Sequence, residues 1–144
     1  MKEFGPPEKV YVENDWHDGP QAGVADINGV PHRFRSIFNE EQDKHSNAFA
    51  VWPMTKENLA LEIEQWGIFV AWNTLYESGQ ADTSSHPGHG GRDTRWDELE
   101  VLLKQDRAEV PPEARRAVFQ FIRIEREDRY APTGPDYMLS WCLL

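Results

Sequence analysis

Two strand-like runs, residues 21–27 and 30–38, are separated only by Asn28-Gly29. A two-residue loop must reverse the chain in one tight turn. Asn-Gly is the pair that tolerates positive φ at both positions, as a type I′ turn requires. The spacing therefore predicts an antiparallel hairpin, and short hairpin links favour antiparallel pairing in the sheet around it. In the second run Val30, His32, Phe34, Ser36 and Phe38 share one face. Pro31 lacks an N–H, so this strand begins at an edge or with that position unpaired.

The rest of the chain adds elements on both sides. Val10 and Val12 alternate with polar residues and predict a first strand over 9–13, followed by turn chemistry at Asp15-Trp16-His17-Asp18-Gly19-Pro20. Residues 39–47 read as a polar loop and 48–53 as a fourth strand. Thr55 is a helix N-cap candidate, with Met54 and Leu59 at hydrophobic-staple spacing. A long helix follows over 56–77. Leu59, Ile63, Trp66 and Val70 form one stripe, and Leu61, Ile68, Trp72 and Leu75 form another. Two stripes predict burial on two sides. Gly67 weakens a helix interior by about 1 kcal/mol relative to Ala, and close approach of another backbone would explain it. The stretch 78–93 is a Gly- and His-containing loop. Thr94-Arg95-Trp96-Asp97 resembles a capping box and starts a second helix, running to about residue 106 with Trp96, Leu99, Leu102 and Leu103 inward. Strands follow over 117–126 and 137–144, with 130–136 as a loop. The expected fold is α+β in a single domain over 1–144. It has an antiparallel sheet of about five to six strands, four N-terminal and two C-terminal, with one long and one shorter helix packed on one face.

Composition bounds the function classes. A length of 144 residues with six Trp, seven Phe and four Tyr supports one real core. The net charge of −10 repels phosphate backbones, so a nucleic-acid partner is not expected, whereas basic partners are. A lone cysteine, Cys142, forms no internal disulfide and is expected to be a buried, inert thiol. No apolar run approaches spanning length, so no membrane is expected, and the first residues lack the apolar core of a signal peptide; a cytoplasmic location is the expectation.

The segment from Asp18 to Phe34, DGPQAGVADINGVPHRF, resembles a group of small bacterial proteins with the pattern DGPxxGxADxxGxPHxF. Glu64-Gln65-Trp66 and His86-Pro87 are similar to the same group, and the likeness covers about the first two-thirds of the chain. These proteins have no assigned function, so the resemblance implies a bacterial or phage origin and carries over no site.

Candidate sites follow from residue chemistry. His86 and His89, with Asp93 and Asp97 near, offer metal-ligand types; the competing reading is a polar loop whose His86 contacts backbone. Gly88, Gly90 and Gly91, with Arg92 and Arg95, precede a helix N-terminus that could hold an anion, but the P-loop Lys-Ser/Thr is missing. His17, Asp18 and His32, with Trp16 and Arg35, could meet near one end of the first hairpin as a His–Asp general base. Glu57, Glu62 and Glu64, with Glu40, Glu41 and Asp43, could share a cleft. Glu62 sits among apolar neighbours, and an arginine from a strand (Arg33, Arg35 or Arg123) is its expected partner. Trp66, Phe69, Trp72 and Tyr76 could line a pocket or form core. The reading favoured is a non-enzymatic acidic interaction domain without a cofactor, binding another protein or a second copy through the long helix. The alternative is a small metal-dependent or His/Asp-based hydrolase.

Overall fold

The computed structural model describes residues 3–39 and 44–144. Along the chain run β1 (Pro7–Trp16), β2 (Pro20–Ile27), β3 (Val30–Asn39), β4 (Lys44–Pro53), α1 (Lys56–Glu77), α2 (Thr94–Ala108), β5 (Arg115–Arg123), β6 (Tyr130–Ala131), β7 (Gly134–Pro135) and β8 (Tyr137–Leu143). The fold is α+β. Strands β1-β2-β3-β4-β5-β8 pair antiparallel in that order, and β8 closes on β1 through Pro7–Ser140, Glu8–Leu139 and Lys9–Met138. The sheet is thus a closed barrel whose meander is interrupted twice: between β4 and β5, where both helices are inserted, and between β5 and β8, where β6 and β7 are inserted. β6 and β7 form a separate two-stranded ribbon within the expected 130–136 loop. The polar run expected as a loop over 39–47 already enters β4 at Lys44.

The Asn28-Gly29 turn is formed, with φ of 54° and 76°. Its two N–H groups point at one carboxylate: Asn28 donates to Glu8 Oε2 (2.9 Å) and Gly29 to Glu8 Oε1 (2.7 Å). A glutamate of β1 thereby fixes the far hairpin turn against the barrel wall.

A six-stranded barrel has room only for side chains. Phe34, Phe49, Val51, Ala117, Leu139 and Trp141 fill it. Phe34 meets Phe49, Phe119 and Trp141 edge-on with centroids 5.6–6.4 Å apart. Gly23 in β2 completes this packing. A Cβ there would lie 2.2 Å from the Val12 carbonyl oxygen and 3.0 Å from the Phe34 ring.

Helix α1 begins as its sequence indicates: Thr55 Oγ1 accepts the Asn58 N–H at 3.1 Å. Leu59, Trp66 and Val70 pack on Val12 and Val24, on the outside of the barrel. The adjoining side faces α2, whose Leu99 and Leu103 are fully buried. Trp72 is half-covered by the connection after α1, where its indole N–H donates to Ser85 Oγ at 2.9 Å and its ring meets His86. Both stripes are covered from within the chain, except that Ile63 and Leu75 are exposed. Gly67 faces open space, so the expected close backbone approach is not found in the single chain. The α2 cap lies one residue earlier than expected. Asp93 accepts the Trp96 N–H (2.8 Å), while Asp97 reaches back to the Gly91 N–H (2.9 Å).

The helices are tied to the barrel by buried charge. Glu62 of α1 is fully buried and is held by Arg33 of β3 (2.7 Å) and by Arg107 of α2 (2.6 Å). Arg33 also binds Asp106 of α2 at 2.6 Å, and Arg107 continues to Glu100 at 3.1 Å. Arg33 is one of the strand arginines expected for Glu62; Arg107 was not foreseen. Burial pushes the Glu62 carboxyl up, but the two guanidiniums outweigh it and hold the pKa below the usual glutamate value.

Gly23→Ala should destabilise by about 1–3 kcal/mol through overpacking, whereas Gly67→Ala should stabilise by about 0.8–1.0 kcal/mol; urea midpoints read both, and equal signs would contradict the packing described. For Glu62, a depressed folded pKa contributes stability that is present above the unfolded value of about 4.3 and lost as pH falls through the folded one. Glu62→Gln should cost about 3–5 kcal/mol at neutral pH by leaving Arg33 without its buried partner. It should also flatten the stability loss below about pH 4.

Candidate functional site

The seam between the barrel wall and the helix pair does not close. A cleft of about 470 Å³ remains, within the range of small-ligand sites. Its barrel side is the second half of β1, from Val12 to Trp16; α1 gives Gln65, Trp66 and Phe69, α2 gives Trp96, Glu100 and Arg107, and His86 closes one side. The β1–β2 register slips between Val10 and Val12, again between Glu13 and Asp15, and once more before Trp16. Such bulges re-aim side chains at barrel rims. Here they bring Glu13, Asn14, Asp15 and Trp16 to the same cleft.

Glu13 is the chemically unusual member. Its side chain is nearly buried; Tyr137 donates its hydroxyl at 2.9 Å, and Arg129 lies 3.4 Å away. Burial raises its pKa above the usual glutamate value, and the Tyr137 hydrogen bond and Arg129 offset this only in part. The same burial and the neighbouring Glu13 charge push the Tyr137 hydroxyl up. Arg129 stacks its guanidinium 4.5 Å from the Trp16 ring centroid. Asp15 is exposed at the rim and has no partner among the described residues. Trp66 is fixed by its N–H to the Ala131 carbonyl at 2.7 Å, and by Phe69 and Tyr130 rings at 5.4 and 5.6 Å. Arg107 and Gln65 are held by the ion network behind them. The cleft therefore presents rigid aromatic walls with three carboxyl groups against one guanidinium.

The residues singled out from sequence are distributed differently. His17 and Asp18 sit exposed in the β1–β2 turn, whereas His32 pairs with Ala25 and Pro53 toward the other end of β2. The five residue steps from Pro20 to Ala25 span about 17 Å of strand, so the His17–Asp18–His32 group is not assembled. His32 Nδ1 lies 2.7 Å from the Val30 carbonyl, and Arg35 donates to the Ala108 carbonyl at 2.8 Å. His86 Nδ1 accepts the Gly88 N–H at 2.9 Å, which places the proton of the neutral ring on Nε2. Burial and His89 both lower its pKa. His89 Nε2 is 3.0 Å from the Thr83 carbonyl, and Asp93 is spent on the α2 cap. Among the described residues no three His, Cys, Asp or Glu side chains gather as a metal site. At the start of α2 the Trp96 and Gly91 N–H groups donate to Asp93 and Asp97, so this helix end is already occupied by the chain's own carboxylates. Glu64 turns outward to Arg95 at 2.6 Å and Glu57 is exposed, so neither joins Glu62; Glu40, Glu41 and Asp43 lie outside the described residues. Cys142 is buried in β8. Of the aromatic candidates, Trp66 and Phe69 line the cleft.

Sequence reasoning missed Glu13, Asp15, Glu100 and Arg107. The polar run Glu13-Asn14-Asp15 directly after Val10-Tyr11-Val12 was the available signal. No helix among the described residues is long and apolar enough to cross a membrane. No family model, curated protein or solved structure matches the chain.

A carboxyl whose folded pKa is raised favours the fold in its protonated form. Its effect is greatest below the unfolded pKa and is lost as pH rises through the folded one. Glu13→Gln should therefore raise thermal stability at pH 7, with the gain vanishing in acid near pH 4. A lower Tm at pH 7 would show that the Tyr137 and Arg129 contacts outweigh desolvation.

Proposed function

We propose that the protein is a non-enzymatic recognition domain that takes a basic side chain of a protein partner into the cleft between β1 and the helices. The observation that carries this reading is the pairing of aromatic walls (Trp16, Trp66, Phe69, Trp96) with an unpartnered carboxylate, Asp15, at the rim. Aromatic faces attract ammonium and guanidinium groups, and they do so more strongly where water is excluded. Arg129 over Trp16 displays that mode inside the chain. The net charge of −10 adds a field that draws cations toward the surface and repels anions. Recognition of this kind needs no cofactor.

Glu13 favours a second reading, the hydrolase alternative. A glutamic acid with a raised pKa in a cleft beside a neutral imidazole is suited to general acid–base chemistry. In that case a hydrolysable substrate would show turnover that Glu13→Gln abolishes.

Calorimetry with short Lys- or Arg-containing peptides, set against sequence-matched Gln peptides, tests the first reading. Basic peptides should bind, with Kd rising as salt is added. Trp96→Ala should weaken binding roughly 2- to 30-fold, and Asp15→Asn should weaken it and reduce the salt dependence. Equal binding of basic and neutral peptides would refute the proposal.

A further inference from the structure

An open groove of about 730 Å³ lies on the outer wall of the barrel, beside the end of α2. Its floor includes a row of directly paired residues that crosses the sheet: Ala22 of β2, Arg35 of β3, Ala50 of β4 and Arg116 of β5. Directly paired residues share one side of a sheet. Here it is the outer side, because Phe34 and Ala117, the sequence neighbours of Arg35 and Arg116, belong to the barrel core. Strands stand about 4.8 Å apart, so the backbones of these two arginines are roughly 10 Å apart, with only the small Ala50 between them. Val110, Pro111 and Pro112, in the connection from α2 to β5, form an apolar wall, and Val110 is exposed.

The charge of this groove is opposite to that of the molecule. Arg35, Arg107, Arg115 and Arg116 line it against one carboxylate, Asp15, in a chain whose net charge is −10. Arg115 and Arg116 are exposed, and their side chains have no hydrogen bond or ion pair among the described residues. All other arginines are engaged. Arg33, Arg95, Arg107, Arg123 and Arg129 bind carboxylates. Arg35, Arg92 and Arg126 donate to backbone carbonyls. Acidic side chains outnumber Lys and Arg by 25 to 15. The adjacent pair at 115–116 is therefore left free by its position and not by a shortage of acids.

We propose that this groove binds a short acidic peptide segment of a partner protein. Arg115 and Arg116 meet its carboxylates, and an apolar side chain beside them rests on Val110 and Pro111. The guanidinium fork matches carboxylate geometry and can hold it by two parallel hydrogen bonds. The negative field of the whole chain repels a long polyanion, so the groove suits a short acidic segment and not a nucleic-acid backbone. Asp15 and Arg107 line both the groove and the cleft, but the proposal does not rest on what the cleft binds.

The test is calorimetric titration of the full chain with a short blocked peptide alternating Glu and Leu, set against the same peptide with Gln in place of Glu. The Glu peptide should bind more tightly, and added salt should weaken it. Arg115→Gln combined with Arg116→Gln should weaken it roughly 2- to 30-fold. Arg115→Lys combined with Arg116→Lys, which keeps both charges, should lose less. Asp15→Asn should tighten the Glu peptide by removing the one opposing carboxylate, the reverse of its effect on basic peptides in the cleft. Trp96→Ala, which alters the cleft, should leave the Glu peptide unchanged. Equal affinity for the Glu and Gln peptides would overturn the proposal, as would no binding at millimolar peptide or undiminished affinity in the Gln double variant. Oligothymidylate of equal charge binding as tightly as the Glu peptide would also overturn it, assigning the groove to phosphate backbones. Both arginines are exposed and unpaired, so circular dichroism should show the variants folded; should the Gln double variant fail to fold, the peptide comparison on wild type and the Lys double variant still decide the matter.

Discussion

Glu62, buried on α1 between Arg33 of the barrel and Arg107 of α2, is the charged contact that joins the barrel to both helices, beside the apolar packing of Leu59, Trp66 and Val70 on Val12 and Val24. Taking these ions out of water costs several kcal/mol each, and only near-complete pairing recovers it. The pairing here is dense. Both Glu62 oxygens receive guanidinium N–H groups, and Arg33 and Arg107 continue to Asp106 and Glu100. Apolar residues of similar volume could join helix to barrel at least as strongly. What they could not do is hold Gln65, Glu100 and Arg107 at the edge of the open seam. The network that fixes the helices is also the polar back wall of the cleft.

Two buried carboxyls in one small protein respond to burial in opposite directions. Glu62 faces two guanidiniums and is held ionised. Glu13 has one arginine at 3.4 Å and a tyrosine hydroxyl, which do not offset its burial. The first arrangement stabilises the fold at neutral pH, and the second opposes it. A structure that retains the second arrangement beside a cleft concentrates its electrostatic cost where a ligand would meet it. Perturbed carboxyls are concentrated at functional sites for this reason. A basic side chain entering beside Asp15 would also favour the charged form of Glu13, so that occupancy and ionisation would support one another.

Local signals carried most of the fold. The Asn28-Gly29 turn, the Thr55 cap and the helix over residues 56–77 are read from neighbours in sequence, and the structure has each of them. Closure of the sheet was not legible. It depends on β8 meeting β1 across more than a hundred residues, through only three residue pairs. The site was less legible still, because it is assembled by register. Whether Glu13 and Asp15 face a cleft or solvent depends on slips in the β1–β2 ladder, and no residue type announces a slip. His17 and His32 illustrate the converse. They flank the same strand in sequence, yet β2 places them toward opposite ends of the barrel. Glu62 lies between these cases: its apolar neighbours demanded a partner and Arg33 was foreseeable, but Arg107 required knowing how α2 docks.

The barrel's interior is filled by side chains. Phe34, Phe49, Phe119 and Trp141 occupy it, and Gly23 is needed for them to fit. The outer surface is interrupted along the seam where α1 and α2 lean on β1, and at the mouth where Trp16 and Phe121 are partly exposed. These places differ in chemistry because they differ in origin. The seam is bounded by helix faces and inherits the charged network that docks them. The mouth is bounded by strand ends and inherits the aromatic residues that continue the core outward. Trp16 belongs to both, with Arg129 over its ring and Phe121 and Tyr137 meeting it at 6.0 and 5.9 Å. The two cavities thus share a single wall residue, the Trp16 indole.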